Sequence, residues 1–376
     1  MKLAIICRPF SFHGGVETAT AGLIGELRRR GHAIDLVTTR AQPDIPGITV
    51  RRLPTPTQPS TLRFLWFALA ARRAMRDGGY DLVQSHERCL SQDVYRAGEG
   101  THLGYLAAMG RRAHRLNPYH RAVTAVERRI FTLRAARHVV AISRRDAAEI
   151  AQRFGTPPAR LSVVYNGVDL MRFHPDLRSR WRASMRNELG LCEHDWIVLF
   201  VGSGFARKGL GPLIEATAAL DDPRVRLVVA GKGDAGPYER RAAQLGLEGR
   251  VRWLGARRDA ERLYAMADAV ALPTRYEPFG NVHLEALASG VPILTSVWAG
   301  GAEVVAHGVN GWVVPSLDTA DVSAGLAALR DLRRDASVAA RAAAEPFTYA
   351  AQVDALTGVY ARLGRGGNLA QTPDSN

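Results

Sequence analysis

The sequence predicts an α/β protein of two doubly wound domains that face one another across a cleft. Apolar runs of strand length alternate with helix-period segments along the whole chain, which is the pattern of parallel sheets with crossover helices. At 376 residues the chain is too long for one ordinary core. A polar stretch over residues 166–195, broken by Pro175 and without strand signals, divides the alternation in two, as a domain boundary does.

The first winding opens on the strand "KLAIICRPF", the turn "SFHGG", the helix "VETATAGLIGELRRRG" and the strand "HAIDLVTT", a βαβ unit. Strands follow at "ITVRRLP", "YDLVQSH", "HVVAIS" and "LSVVYNGV", and the helical segment "TLRFLWFALAARRAMRD" carries a strong apolar face. In the second winding the strands are "WIVLFVG", "VRLVVAG", "VRWLG", "AVALPT", "PILTS" and "GWVVP". Pro346 must kink or break the long helical stretch after them, and the last residues lack apolar side chains. The expected organisation is a first domain over residues 1–170, a second over 171–345, a crossover helix over 346–364 and a flexible tail over 365–376. Loops at the strand carboxyl ends of such domains meet at a shared cleft, where function is to be sought.

Composition narrows the class. Hydrophobic residues at 47% and charged residues at 23% fit a globular protein and exclude wholesale disorder. Cys7, Cys89 and Cys192 show neither pairing nor metal-ligand spacing, which fits a reducing compartment. The start lacks the pattern of a signal peptide, and no apolar run reaches the roughly 18–20 residues of a membrane span. A cytoplasmic protein, soluble or peripheral on the inner face of the cell membrane, is expected. The net charge of +14 is unevenly spread: residues 1–170 hold 26 Lys and Arg against 13 Asp and Glu, the remainder 24 against 23. Within the first half, residues 104–138 hold eight Arg and one Glu, interleaved with Tyr105, Leu106, Met109, Tyr119, Ile130 and Phe131. This basic segment reads as a surface for an anionic membrane; the plainer alternative is a solvated helix in a chain with 47 Arg and 3 Lys. Nucleic acid is not expected, because a stacking platform is missing and paired glutamates elsewhere would have no role.

Three loops carry chemistry. Gly14 and Gly15 precede the first helix, so backbone amides and the helix dipole could face an anion there, although a glycine pair in a βα turn also serves turn geometry alone. In "VGSGFARKGL", Arg207 and Lys208 end the loop after the second winding's first strand and suit a diphosphate, the guanidinium as a clamp and the ammonium as a point charge. In "EPFGNVHLEALASGVPILTS", Gly280, Asn281 and Val282 fall at the predicted start of an amphipathic helix, Glu285 rides about a turn further in, and Glu277 stands outside. Carboxylates match the vicinal hydroxyls of sugars, so two of them flanking a phosphate site imply a nucleotide sugar. The competing reading is a pair of helix-capping glutamates.

Taken together these residues resemble a known family. "EPFGNVHLE" resembles the Glu-x7-Glu signature of retaining glycosyltransferases of the GT-B group, glycosyltransferase family four, and "NGVD" with "FHP" resembles the segment joining its two domains. "GG", "ARKG" and "WLGARRD" fall in the family's order, so the resemblance covers almost the whole chain. It implies the GT-B architecture, two Rossmann-like domains facing a central cleft with the C-terminal helix returning to the first. It implies further that Glu285 holds the donor ribose and Glu277 the donor hexose, that Arg207 and Lys208 neutralise the leaving diphosphate with the amides of Gly280 to Val282, that Phe279 belongs to the same donor loop, that the backbone from Gly255 to Arg257 faces the base, and that the Gly14-Gly15 loop closes over the donor phosphate. One departure is Ser203, where many relatives carry an arginine, which leaves more phosphate charge to Arg207 and Lys208.

Within the family, "QDVYRAGEGTHLGYLAAMGRR" and "VGSGFARKGL" look like the lipopolysaccharide core glucosyltransferases, which implies transfer of glucose from UDP-glucose to a heptose of a glycolipid acceptor. In that alignment Glu99 occupies an acidic position near the reaction centre. No Asp-x-Asp metal motif occurs, so the expectation is a metal-independent, cofactor-free transfer with retention. His13 and His102 could lie near the donor sugar. A transferase with another acceptor, and a non-transferase sugar-nucleotide enzyme such as an epimerase, stay open; a phosphorylase does not, because no lysine follows Lys232.

Overall fold

The computed structural model describes residues 1–9, 15–39, 42–56, 58–76, 78–110, 116–132, 135–332 and 335–364. Among them the strands form two parallel sheets. In the first half of the chain β1 (Lys2–Ile6), α1 (Gly15–Arg29), β2 (Ala33–Thr39), β3 (Thr49–Leu53), α2 (Ser60–Arg76), β4 (Leu82–Ser85), β5 (Gln92–Arg96), α3 (His102–Ala108), α4 (Pro118–Phe131), β6 (Ala136–Ala141), α5 (Arg144–Phe154) and β7 (Leu161–Val163) follow in order. After α6 (Leu177–Glu188) come β8 (Trp196–Val201), α7 (Leu210–Ala219), β9 (Val225–Ala230), α8 (Gly236–Gln244), β10 (Val251–Gly255), α9 (Ala260–Met266), β11 (Ala269–Leu272), α10 (Asn281–Ala288), β12 (Ile293–Ser296), β13 (Gly311–Val314) and α11 (Thr319–Arg330). The chain ends in α12 (Ala336–Ala344) and α13 (Tyr349–Gly364).

The seven-stranded sheet runs β3-β2-β1-β4-β5-β6-β7 and the six-stranded one β10-β9-β8-β11-β12-β13. Both therefore reverse direction at one place, between β1 and β4 and between β8 and β11, which is where a doubly wound sheet opens a crevice for ligands. The central strands are continuous apolar runs because helices cover both faces: Leu3 to Ile6 and Ile197 to Phe200 are all buried.

Two elements differ from the sequence expectation. Strand β5 was not anticipated, since "QDVYR" offers only Val94 and Tyr95 as apolar residues. Its polar groups are met by tertiary partners: Asp93 accepts from the Val83 amide and pairs with Arg137, and the buried Arg96 donates to Asn166. Helix α10 is not amphipathic but buried on nearly every side, with Val282, His283, Leu284, Ala286, Leu287 and Ala288 all enclosed. It sits in the core of the second half, which leaves Asn281 and Glu285 as its partly exposed side chains.

Around Pro346 the helix breaks, and α13 crosses back to the first sheet. Val353, Leu356, Val359 and Tyr360 join Leu3, Ile5, Leu23 and Leu27 in one core, and the Tyr360 hydroxyl donates to Gln84 Oε1 at 2.6 Å. The crossing strands of chain touch where the Val168 amide donates to the Phe347 carbonyl at 2.8 Å.

Candidate active site

Both reversal points place charged residues at strand carboxyl ends. After β8 the loop reaches Arg207 and Lys208, and after β11 it reaches Glu277. The two loops are stapled together: the Thr274 hydroxyl and the Arg275 amide both donate to the Arg207 carbonyl, at 2.9 and 2.8 Å. Glu277 is fixed from its other side by the loop after β12, its amide donating to Trp298 O at 3.2 Å and its carbonyl accepting from Gly300 N at 2.8 Å. Gly202 has φ 150°, a conformation that favours glycine, and a Cβ there would lie 2.4 Å from Lys208 Cδ and push that side chain aside.

The side chains converge on one oxygen. Glu277 Oε2 accepts from Arg207 Nη1 at 2.8 Å and from Lys208 Nζ at 2.9 Å. Burial alone would raise the Glu277 pKa, but Lys208 and Arg207 lower it to about 2. Burial likewise works against the charge of Arg207, and Glu277, with Tyr105 and Glu99 across the cleft, holds its pKa above the ordinary arginine value. Two cations against one carboxylate leave an excess positive charge at this point, positioned before any ligand arrives.

Helix α10 begins beside this cluster. Its cap residue Gly280 has φ 85°, and a Cβ would lie 2.9 Å from Glu277 Cγ and 3.0 Å from His283 Nδ1. His283 donates through Nδ1 to the Gly280 carbonyl and accepts at Nε2 from the Thr295 hydroxyl, both at 2.8 Å, which makes it a neutral imidazole protonated at Nδ1. Burial lowers its pKa to about 4. One turn on, Glu285 Oε2 accepts from the Tyr264 hydroxyl at 2.8 Å, and burial raises the Glu285 pKa above the ordinary value. The helix start presents amide donors and the positive end of its dipole to the same space.

The first sheet answers with its own charge cluster. Arg8 lies just past β1, Glu87 and Arg88 past β4, and Glu99 past β5. Glu99 is held through both oxygens, by Arg8 at 2.6 Å and by Arg88 at 3.1 Å. Burial favours its neutral form, yet these two guanidinium groups keep its pKa below the usual carboxylate range. Arg8 also pairs with Glu87 at 3.0 Å, and Arg88 with the buried Glu127 at 3.1 Å. The two halves are joined directly. The Thr101 amide donates to the Tyr276 hydroxyl at 2.9 Å, which in turn donates to Thr101 O at 3.2 Å. Ser143 Oγ donates to Pro278 O at 2.7 Å, and Glu303 accepts from the amides of Arg144 and Arg145 at the start of α5, at 3.0 and 2.7 Å.

Against the sequence expectations, Arg207, Lys208, Glu277, Gly280, Asn281, Val282 and Glu285 come together at the start of α10, and Glu99 faces them from the first half. Phe279 does not line the cleft: its side chain is fully buried in the core of the second half, packed at 5.9 Å from Tyr165, and only its backbone is near the site. The Arg257 guanidinium is engaged by Asp259 at 2.7 Å and Glu188 at 3.3 Å, so what it offers a base is backbone. Gly255, with φ 62°, ends β10 and is exposed. Gly15 is the first residue of α1, while Gly14 and His13 lie outside the described residues. His102 contacts His120 at 3.0 Å and donates its amide to Glu127 at 2.7 Å. Arg8, Glu87, Arg88, Tyr264 and Tyr276 were not anticipated; a signal existed for Glu87 and Arg88, which directly follow the predicted strand "YDLVQSH". A cavity of about 470 Å³ also opens between the halves, lined by Arg145, Arg153, Arg275, Tyr276 and Trp298; neither Lys208 nor Glu277 borders it.

Family models match both halves, "Glycosyltransferase Family 4" over residues 13–172 and "Glycosyl transferases group 1" over residues 182–345. An uncharacterized glycosyltransferase of Methanocaldococcus jannaschii is 30% identical over 337 residues, covering 84% of this chain and 85% of the relative. The chain belongs to glycosyltransferase family four. It is a glycosyltransferase, and the paired halves are the GT-B architecture. Among other family relatives, the D-inositol 3-phosphate glycosyltransferase of Geodermatophilus obscurus is 31% identical over 386 residues, covering 92% of this chain and 84% of that one. The lipopolysaccharide glucosyltransferase WaaG of Escherichia coli is 25% identical over 305 residues, covering 80% and 82%. In three dimensions the solved structure of WaaG, a glycosyltransferase involved in lipopolysaccharide biosynthesis, superposes with a TM-score of 0.85 at 24% identity, covering 95% of this chain and 99% of that one. Anabaena HepE in complex with UDP and glucose gives 0.73 at 22% identity, covering 96% and 99%.

Proposed function

We propose that this family-four enzyme transfers glucose from UDP-glucose, with retention and without a metal or other cofactor, to a glycolipid acceptor, a heptose of a lipopolysaccharide core. The observation that carries the donor reading is the convergence of Arg207, Lys208 and Glu277 at the start of α10. A diphosphate placed there would meet two cations and the helix amides, with Glu285, about a turn into the helix, assigned to the ribose and Glu277 to the hexose. The UDP and glucose named for HepE and the acceptor class named for WaaG support the choice of donor and acceptor.

In this mechanism the acceptor hydroxyl attacks the anomeric carbon on the face from which the diphosphate departs. The bond to the diphosphate oxygen breaks, the bond to the acceptor oxygen forms, and the acceptor proton passes to the leaving phosphate. Arg207 and Lys208 take up the charge that develops on that oxygen. A covalent route would need a free carboxylate on the other face. Glu99 is a poor candidate, since both its oxygens are engaged by arginines. Its role here is electrostatic, an anion held ionised opposite Arg207.

The basic segment 104–138 then keeps the enzyme on the inner face of the cell membrane, where a glycolipid acceptor is reached. Among the described residues no helix is long and apolar enough to cross a membrane. A second reading, transfer to another acceptor such as an inositol phosphate, is favoured by the name of the 31% identical relative. Incubation with a panel of nucleotide sugars in excess chelator, with heptose-containing core or inositol phosphate as acceptor, separates these readings. UDP release from UDP-glucose and an α-linked product on the core are expected. Complete loss of activity in chelator would refute metal independence, and transfer to inositol phosphate alone would replace the acceptor.

A further inference from the structure

We infer that helix α2 docks the enzyme on the bilayer by inserting an apolar stripe, Leu62, Trp66 and Leu69, between arginines that meet anionic lipid headgroups. This rests on the membrane-facing reading above and adds to it an element outside segment 104–138. Among the described residues few large apolar side chains are exposed, yet three of them lie on this one helix: Leu62 at 57%, Trp66 at 55% and Leu69 at 54%. Their spacing of four and then three residues puts them on one face. The exposed residues beside them are Arg63, Arg72 and Arg73, so the outward side of α2 is apolar at its centre and cationic around it. The opposite side packs Phe67, Ala71 and Met75 into the core beneath. The inner side serves the core, and on the outer side α2 combines apolar side chains with flanking cations, the pairing that an interfacial helix offers to lipid.

The neighbouring helix extends the surface. Phe64 of α2 packs edge-on against Tyr119 of α4 at 6.1 Å. The outward side of α4 is Arg121, Arg128 and Arg129, and Leu116, 85% exposed, stands just before it. Three exposed arginines on α2 and three on the exposed side of the adjoining α4 commit the occupant to an anionic bilayer. A second copy of the same face would bring like charge to like charge, and a neutral protein partner would leave the arginines unmatched. Trp66 suits the interface, because its Nε1 already donates to the Pro54 carbonyl at 2.9 Å and its ring can enter lipid without stranding a donor. The inner side of α4 carries Glu127, which braces Arg88 and the His102 amide. One helix thus lies between this exposed side and the charge cluster of Arg88 and Glu99.

The test is co-sedimentation of the full chain with phosphatidylcholine vesicles, with and without phosphatidylglycerol, at low and high salt. The variants are Leu62→Ser/Leu69→Ser on α2 and Arg121→Ser/Arg128→Ser on α4. Wild type is expected to bind the anionic vesicles, the α2 variant about tenfold more weakly at both salt concentrations, and the α4 variant more weakly at low salt only. Neither change touches a buried residue, and UDP-glucose hydrolysis without vesicles is expected to match wild type. Wild-type binding by the α2 variant would overturn the inference while leaving the basic-segment reading intact if the α4 variant is weakened. Wild-type binding by the α4 variant with loss in the α2 variant would keep the inference and remove that segment. A wild type that ignores anionic vesicles, or a dimer that Leu62→Ser/Leu69→Ser dissolves in place of vesicle binding, would overturn it.

Discussion

At single residues, charge is held in place in advance of the ligand, two cations on one carboxylate. Lys208→Ala removes one of two cations from the departing diphosphate, and kcat should fall about 100- to 1000-fold with little change in donor affinity. Wild-type turnover in single-turnover kinetics would exclude Lys208 from the chemistry. Glu285→Gln keeps the shape but weakens the grip on ribose, so the donor KM should rise about tenfold with kcat nearly kept. Two buried groups of the site contribute to the acid response, beside His86 and His138, whose pKa values burial also lowers. The Glu277 pKa lies at about 2 in the folded chain, below the ordinary 4.5, so its stabilising contribution is complete above about pH 4.5 and disappears only as pH falls through about 2. His283 has a folded pKa of about 4 against 6.5. Between those values the unfolded chain binds more protons, so stability should fall by roughly 3 kcal/mol as pH drops from 6.5 to 4. Urea unfolding across this range should show that loss in wild type and a smaller one in His283→Gln; equal slopes would place the acid sensitivity elsewhere.

At the scale of elements the important object is α10 with the loops that clamp it. Gly280→Ala places a Cβ at positive φ and within 3 Å of Glu277. It should cost about 1–3 kcal/mol and displace the Glu277 carboxylate. Thermal unfolding and activity should fall together, and an unchanged melting temperature would show that the loop relaxes freely. Much of this element was readable in the sequence. Glycine and proline mark the loop, the cations end the loop that follows an apolar strand, and two glutamates flank the predicted helix start. What was not readable depends on partners distant in the chain. Tyr276 looks like a loop aromatic until Thr101, 175 residues away, is brought to its hydroxyl. Tyr264 and Glu285 meet only because α9 and α10 pack side by side. The resemblance puts Phe279 in the donor loop, but burial of an aromatic ring outweighs exposure and turns the side chain into the core. Strand β5 escaped notice because its charged groups are met by residues distant in the chain, Asp93 by Arg137 and Arg96 by Asn166, rather than by solvent.

At the scale of the whole molecule two sheets with the same winding direct their reversal points at each other, and the cleft between them is where a nucleotide sugar and an acceptor can meet. The alternation of strands and helices made this architecture legible, whereas the charge cluster of Arg8, Glu87, Arg88 and Glu99 required the sheet order, since its members come from the ends of three strands. The Tyr276 hydroxyl is one of the bonds that sets the distance between the halves. Tyr276→Phe leaves the Thr101 amide unsatisfied, which should cost about 1–3 kcal/mol and lower kcat without changing nucleotide affinity. The most direct measurement is a crystal structure with bound UDP. The account predicts the diphosphate within hydrogen-bond distance of Arg207, Lys208 and the first amides of α10, with Glu285 on the ribose hydroxyls. A nucleotide bound elsewhere, with Glu277 still paired to both cations and Glu285 turned to water, would contradict it.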